Sequence, residues 1–179
     1  MGQYGACAVT GYHPSRFKFK YQENYTLCKK IKERMAGQFE QFYRQGVRCF
    51  FVPGTLGVGI WAGEILARMK EQPEFEKLEL VIVIPFEGHD RDWDDRSKKR
   101  LAFLRKFSAR VYVAGKTQAS DSYRLLNHYL LDHADVLLAV YDGLRSKHGS
   151  GIELTVKQAG ERGIDLILIH PDTGAVTKA

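Results

Sequence analysis

The sequence predicts a Rossmann-like α/β fold, a three-layer sandwich with helices on both faces of a central, mostly parallel sheet of five to seven strands. Three observations predict it. Short apolar, β-branched runs alternate with helix-period segments from one end of the chain to the other. Several runs are apolar nearly throughout, as strands buried on both faces must be. The length of 179 residues suits one compact domain and leaves no room for a second, so residues 1–179 are read as one unit.

The strand candidates are Ala6–Thr10, Arg48–Val52, Leu80–Ile84, Arg110–Val113, Val136–Tyr141 and Leu166–Ile169. Between the first two, Cys28, Ile31, Met35, Phe39 and Phe42 recur at helical spacing, with Asn24 as expected N-cap and Gly46 as C-terminal stop. Further helices are expected over 57–70, 94–105, 120–133 and 151–162.

A composition of 44% hydrophobic and 27% charged residues excludes disordered and fibrous classes. No apolar run is long enough for a bilayer, and the first residues lack a signal-peptide pattern, so a cytoplasmic protein without a membrane partner is expected. Cys7, Cys28 and Cys49 read as reduced thiols, and the histidines form no ligand pattern with them, so no metal site is expected. Residues 1–50 carry nine Lys/Arg against three Asp/Glu, while the remainder is balanced. That stretch, with Arg16, Lys18 and Lys20 among Phe17, Phe19 and Tyr21, reads as a solvated face before it reads as a nucleic-acid surface.

In an open parallel sheet, ligands bind beyond the carboxyl ends of the strands. The first such loop holds Gly11, Tyr12 and His13, where a sharp turn can bring side chains to a ligand. The second, Pro53 to Gly59, places Gly54 and Gly57 ahead of a helix, where free amides and the positive helix end favour an anion; a ligand-free tight turn is the alternative. The third runs from Phe86 through His89 to Asp95; its carboxylates are read first as helix caps, and Phe86 and Trp93 either cover a base or belong to the core. The fifth holds Asp142, Arg145, Lys147 and Gly149-Ser150-Gly151, a second glycine-rich helix start. Asn127 is a further candidate, while Asp132 reads as a helix-surface residue. Gly11, Gly54, Gly57 and Gly149–Gly151 are expected to converge on one pocket, with the glycines admitting a ligand to the backbone.

The set Val9-Thr10-Gly11-Tyr12-His13-Pro14, Gly57 to Glu64, Pro85-Phe86-Glu87 with Trp93, Asn127, Asp132, and Ala139 to Gly143 resembles the YpsA-like family of the SLOG superfamily, alongside DprA and the LOG-type nucleotide hydrolases. The resemblance runs from about Ala6 to His170. It implies a Rossmann-like fold that binds or senses nucleotide-derived ligands, ADP-ribose and NAD-like molecules among them, with contacts from Gly11, Gly54, Gly57, Asn127, Gly149, Ser150 and Gly151. Where the family pattern has Gly-His-Arg-Pro, this chain has Gly11-Tyr12-His13-Pro14; Gly59, Leu126 and Ile152 likewise stand where polar residues are expected.

The leading expectation is therefore a nucleotide-ligand binding or sensing domain without strong catalysis, taking a small-molecule ligand and no resident cofactor of known identity. The first alternative is a LOG-like phosphoribohydrolase cleaving an N-glycosidic bond, with Glu153 or Glu64 beside the ribose and Arg145 on the phosphate. The second is non-specific DNA binding of the DprA kind. A homo-oligomer is compatible with each.

Overall fold

The computed structural model describes residues 4–116, 120–143 and 151–179. Its centre is a seven-stranded sheet: β1 (Ala6–Gly11), β2 (Cys49–Pro53), β3 (Glu79–Ile84), β4 (Arg110–Val113), β5 (Val136–Val140), β6 (Asp165–Ile169) and β7 (Val176–Lys178). The spatial order is β4-β3-β2-β1-β5-β6-β7, parallel throughout except for the β6–β7 pair. Five helices connect the strands: α1 (Thr26–Arg44), α2 (Val58–Lys70), α3 (Asp95–Phe107), α4 (Ser120–His133) and α5 (Gly151–Glu161).

The chain moves from β1 to β4 in one direction across the sheet, then crosses back to β5 on the other side of β1. Right-handed crossovers therefore put α1, α2 and α3 on one face and α4 and α5 on the other. The packing agrees: α2 touches α1 and α3, whereas α4 packs on α5. Between the layers, every residue of β5 is buried, as are Cys7 to Thr10 of β1, which is why these strands read as unbroken apolar runs.

The stripe on α1 faces inward as the spacing predicts, with Cys28, Ile31, Met35, Phe39 and Phe42 buried. Its start differs from expectation: Tyr25, not Asn24, occupies the N-cap position, with no side-chain cap bond. Its end is the expected glycine stop. Gly46 adopts φ 107°, and the amides of Gly46 and Val47 return to the carbonyls of Tyr43 and Phe42 at 3.0 Å each, satisfying two orphan carbonyls.

Three features were not anticipated, one of them the 3₁₀ turn Pro73–Phe75 ahead of β3. The 3₁₀ turn Pro14–Arg16 follows β1, and β7 closes a hairpin on β6 after a turn at Gly174 (φ 73°). The three cysteines are free; burial raises Cys28 and Cys49 to about 11, and Cys7 further. No described helix is long and apolar enough to cross a membrane.

Candidate functional site

β1 and β5 are hydrogen-bonded neighbours, with Gly11 opposite Val140, yet the chain leaves them in opposite directions. After β1 it turns through α1 to β2; after β5 it turns through α5 to β6. The loops part above this switch point and leave a crevice. A cavity of about 540 Å³ lies there. One side is formed by Thr10, Gly11, His13 and Arg16, and the next by Pro53, Thr55 and Leu56 after β2. Across from the β1 loop in sheet order, His89 and Trp93 after β3 combine with Tyr123 of α4. Leu126 and Asn127 of α4 meet Gly151 and Ile152, the start of α5, to complete the wall.

The cationic side is built locally. His13 caps the 3₁₀ turn, its Nδ1 accepting from the Ser15 amide at 3.2 Å, with Pro14 at the first helical position. The turn carries Arg16 back over the ring of Tyr12, with the guanidinium carbon 3.9 Å from the ring centroid, a cation–π contact that fixes an otherwise flexible side chain. Partial burial lowers the His13 pKa below its ordinary value.

Tyr12 has a different role from the ligand contact expected of it. It is 1% exposed and packs edge-on against Phe17 and Tyr141. Its hydroxyl accepts from the Asp142 amide at 3.4 Å, so it ties the loop after β1 to the loop after β5. Desolvation, followed by its hydrogen bond with Asp142, pushes that hydroxyl up to about 12. Tyr12 is thus a strut beneath Arg16. Asp142, partly buried, stands beside this strut outside the cavity wall.

The glycines divide by cause. Gly11 and Gly151 line the cavity; a Cβ on Gly151 would lie 3.4 Å from the Asn127 amide nitrogen, whereas one on Gly11 would come within 2.6 Å of the Val58 side chain, so Gly11 is also required by packing. Gly54 and Gly57 do not line it. A Cβ on Gly54 would meet Ile84 at 2.8 Å, and its amide donates to the Val83 carbonyl at 2.8 Å, so this glycine seats the loop on β3. Gly57 has φ 87°, and a Cβ there would come within 2.4 Å of the Tyr12 carbonyl oxygen. Three amides of this segment are committed: Gly54 donates to Val83, Val58 to Tyr12 and Ile60 to Thr55. Gly54 and Gly57 are accounted for by the chain segments they allow to touch.

Of the remaining candidates, Phe86 is buried behind the wall, its ring 6.3 Å from that of Tyr123 and 6.2 Å from that of His89. Glu64 lies outside the crevice, where its carboxylate receives Arg100 through two hydrogen bonds of 2.6 and 2.9 Å. Arg100 also pairs with Glu23, which Lys32 reaches at 2.7 Å. Burial by itself would raise Glu23, but hydrogen bonds and charge from Arg100 and Lys32 hold it down to about 2. Glu153 stands in the first turn of α5, partly buried and outside the cavity wall. Arg145, Lys147, Gly149 and Ser150 lie outside the described residues. Asp94 caps α3 by accepting from the Ser97 amide, and Asp132 pairs with Arg162, as helix-surface acids do.

Sequence reasoning passed over Tyr123, Thr55 and Leu56 as site residues, and saw Arg16 and His89 only as members of charged runs. The signal for Arg16 was the His13-Pro14 start of a turn, which brings a cation three residues on back toward β1.

The comparisons with known proteins agree with this architecture. A DNA processing protein A from Helicobacter pylori, solved in a study of its single-stranded DNA binding mode, superimposes with a TM-score of 0.55 at 14% identity, over 92% of this chain and 64% of its own. The chain thus spans less than two thirds of that protein. In sequence, the UPF0398 protein of Bacillus cereus strain G9842 is 28% identical over 157 residues, covering 86% of this chain and 83% of its own. The UPF0398 protein of Bacillus thuringiensis strain Al Hakam is 26% identical over 156 residues, with the same coverage of both chains. Residues 7–173 match the model of the YpsA family, described as the YspA SLOG family, and the chain belongs to that family.

Proposed function

We propose that the protein binds a nucleotide or nucleotide-derived anion in the crevice between the β1 and β5 loops. The observation that carries this reading is that one cavity combines Arg16 and the start of α5 with the rings of Trp93 and Tyr123. A cation and a helix N-terminus suit phosphate, and the rings suit a base. A volume of about 540 Å³ falls in the ordinary range for small-molecule sites. The family's arginine is replaced by His13, and Arg16 supplies a fixed positive charge from one turn later.

Binding or sensing fits better than hydrolysis, because Glu64 is committed to Arg100 and Glu153 is outside the wall. DNA binding of the Helicobacter pylori kind is the second reading, because Arg16, Lys18 and Lys20 after β1 are exposed, and titration with an oligothymidylate separates the two.

Native mass spectrometry of protein purified without added ligand tests the reading, followed by calorimetric titration with AMP, ADP-ribose, NAD and an oligothymidylate. Tight binding of a mononucleotide or dinucleotide, weakened in Arg16→Gln, is expected. Binding of the oligothymidylate alone, or of none of the four, would refute it.

A further inference from the structure

α3 carries six Lys and Arg against one Asp. Leu101 and Leu104 face the core, whereas Arg96, Lys99, Phe103, Lys106 and Phe107 recur at i, i+3, i+7, i+10 and i+11, one stripe running about 16 Å along the helix. Two neighbouring cations are committed: Arg100 to Glu23 and Glu64, and Arg105 to Glu87 at 3.0 Å. Arg96, Lys99 and Lys106, all exposed, form no ion pair among the described residues. Phe103 is 53% exposed and stacks on Phe107 one turn away, the ring centroids 5.8 Å apart. Beside the stripe, a groove of about 440 Å³ between α2 and α3 is lined by Glu64, Arg96, Lys99, Arg100 and Phe103. Arg100 pairs with Glu64 within it, which leaves Arg96 and Lys99 as its uncompensated charges.

We infer that α3 and this groove dock an acidic amphipathic helix of a partner protein, its carboxylates meeting Arg96, Lys99 and Lys106 and an apolar side chain meeting Phe103 and Phe107. Charge complementarity requires an anionic partner, and the spacing selects its form. Cations and rings recur once per turn, the interval at which a second helix presents its own carboxylates and apolar anchors. A lipid surface fits less well, because the leucines of α3 are buried and its outer side offers two large apolar side chains to insert. A nucleic-acid strand also fits less well, because the two rings stack on each other instead of standing apart to take bases. The groove shares no lining residue with the crevice at β1 and β5, so this surface stands or falls independently of nucleotide binding.

The test uses fluorescence anisotropy with a labelled peptide of about 14 residues, long enough for helix to form, with Glu and Leu in an amphipathic pattern. Its competitors are the counterpart peptide with Lys in place of Glu, an oligothymidylate and phosphatidylglycerol vesicles. The acidic peptide should bind wild-type protein more tightly than the other three, and added salt should weaken it. Lys99→Glu should lower its affinity about tenfold or more, and Phe103→Ser about fivefold or more. Both side chains are exposed, so thermal melts should stay near wild type. Lys29→Glu, the same charge change at an exposed position of α1, should leave the affinity within about twofold. Failure of the acidic peptide to bind, equal losses in Lys99→Glu and Lys29→Glu, full affinity in Phe103→Ser, or tighter binding of the oligothymidylate or the vesicles would each overturn the inference.

Discussion

Gly57 and Gly88 both have positive φ, 87° and 85°, and differ in what a side chain would meet. An alanine at either position is strained by on the order of 1–3 kcal/mol, the more so at Gly57, whose ψ of −127° lies outside the left-handed helical region. Around Gly88 a Cβ meets nothing within 4 Å. At Gly57 it would lie 2.4 Å from the Tyr12 carbonyl oxygen and 2.9 Å from Pro14, and that carbonyl is backbone held against the Val58 amide. The loop after β1 must move to admit it, adding about 1–3 kcal/mol. Gly88→Ala is therefore expected to cost ~1 kcal/mol and Gly57→Ala ~3 kcal/mol, a melting shift of roughly 2–4 °C against roughly 6–12 °C for a chain of this size. Urea denaturation followed by circular dichroism, on protein without added ligand, measures both. Equal losses would refute the packing account and return Gly57 to the role of a ligand-admitting glycine.

Arg16→Gln should weaken binding of anionic nucleotides about tenfold, the worth of one charge-assisted contact, while costing ~1 kcal/mol or less of stability from the lost cation–π contact; calorimetry and thermal melts together read the two effects. For Glu23, the folded pKa of about 2 lies below the ordinary 4.5, so its stabilisation is complete above about pH 4.5 and is lost as pH falls toward 2. The wild-type urea midpoint should decline over that window by the equivalent of ~1–2 kcal/mol after solvent screening, and Glu23→Gln should be less stable at neutral pH with a flatter acid decline. Nucleoside monophosphates incubated with the protein should remain intact by chromatography, and Glu64→Gln should lower stability through Arg100 without changing nucleotide affinity. Release of free base that Glu153→Ala abolishes would instead identify a hydrolase.

The sheet was legible because its chemistry is uniform. Five strands carry apolar side chains on both faces, and that doubles the signal on each, while the edge strand β4 alternates, with Arg110 and Tyr112 exposed. β7 has three residues, all exposed, so neither burial nor alternation marks it; only the Gly174 turn and pairing with β6 make it a strand. Asn24 is a good capping residue one position too early: the Gln22–Tyr25 turn, closed by the Tyr25 amide on the Gln22 carbonyl at 3.2 Å, carries the chain past it before α1 begins. The site was legible where a residue sits directly at a strand end, as Gly11 and His13 do, or opens or faces a helix start, as Gly151 and Asn127 do. It was illegible where position depends on a second element. Tyr123 reaches the cavity because α4 packs its ring on Phe86, and His89 because Gly54, 35 residues earlier, presents a carbonyl to it.

The glycine-rich loop after β2 shows why a motif can point to the right place for the wrong reason. A glycine needed so that a phosphate can approach the backbone and a glycine needed so that another backbone can approach look identical in sequence. Here the second cause governs: Gly57 admits the Tyr12 carbonyl, and a Cβ on Gly59 would strike the Pro53 carbonyl. Both contacts nonetheless serve the crevice, since they lock the loops after β1 and β2 together and so fix the turn that carries Arg16. Tyr12 extends the same brace to β5 through Asp142. The loops of three adjacent strands, β2, β1 and β5, are thus held to one another before any ligand arrives. Of the residues left facing the cavity, Arg16 belongs to a turn that this brace positions, whereas Trp93 follows β3 and Tyr123 and Asn127 lie on α4. Such a division lets the lining vary without disturbing the frame, and it explains how the chain can carry His13 where its family pattern has arginine and still place a cation at the same edge of the sheet.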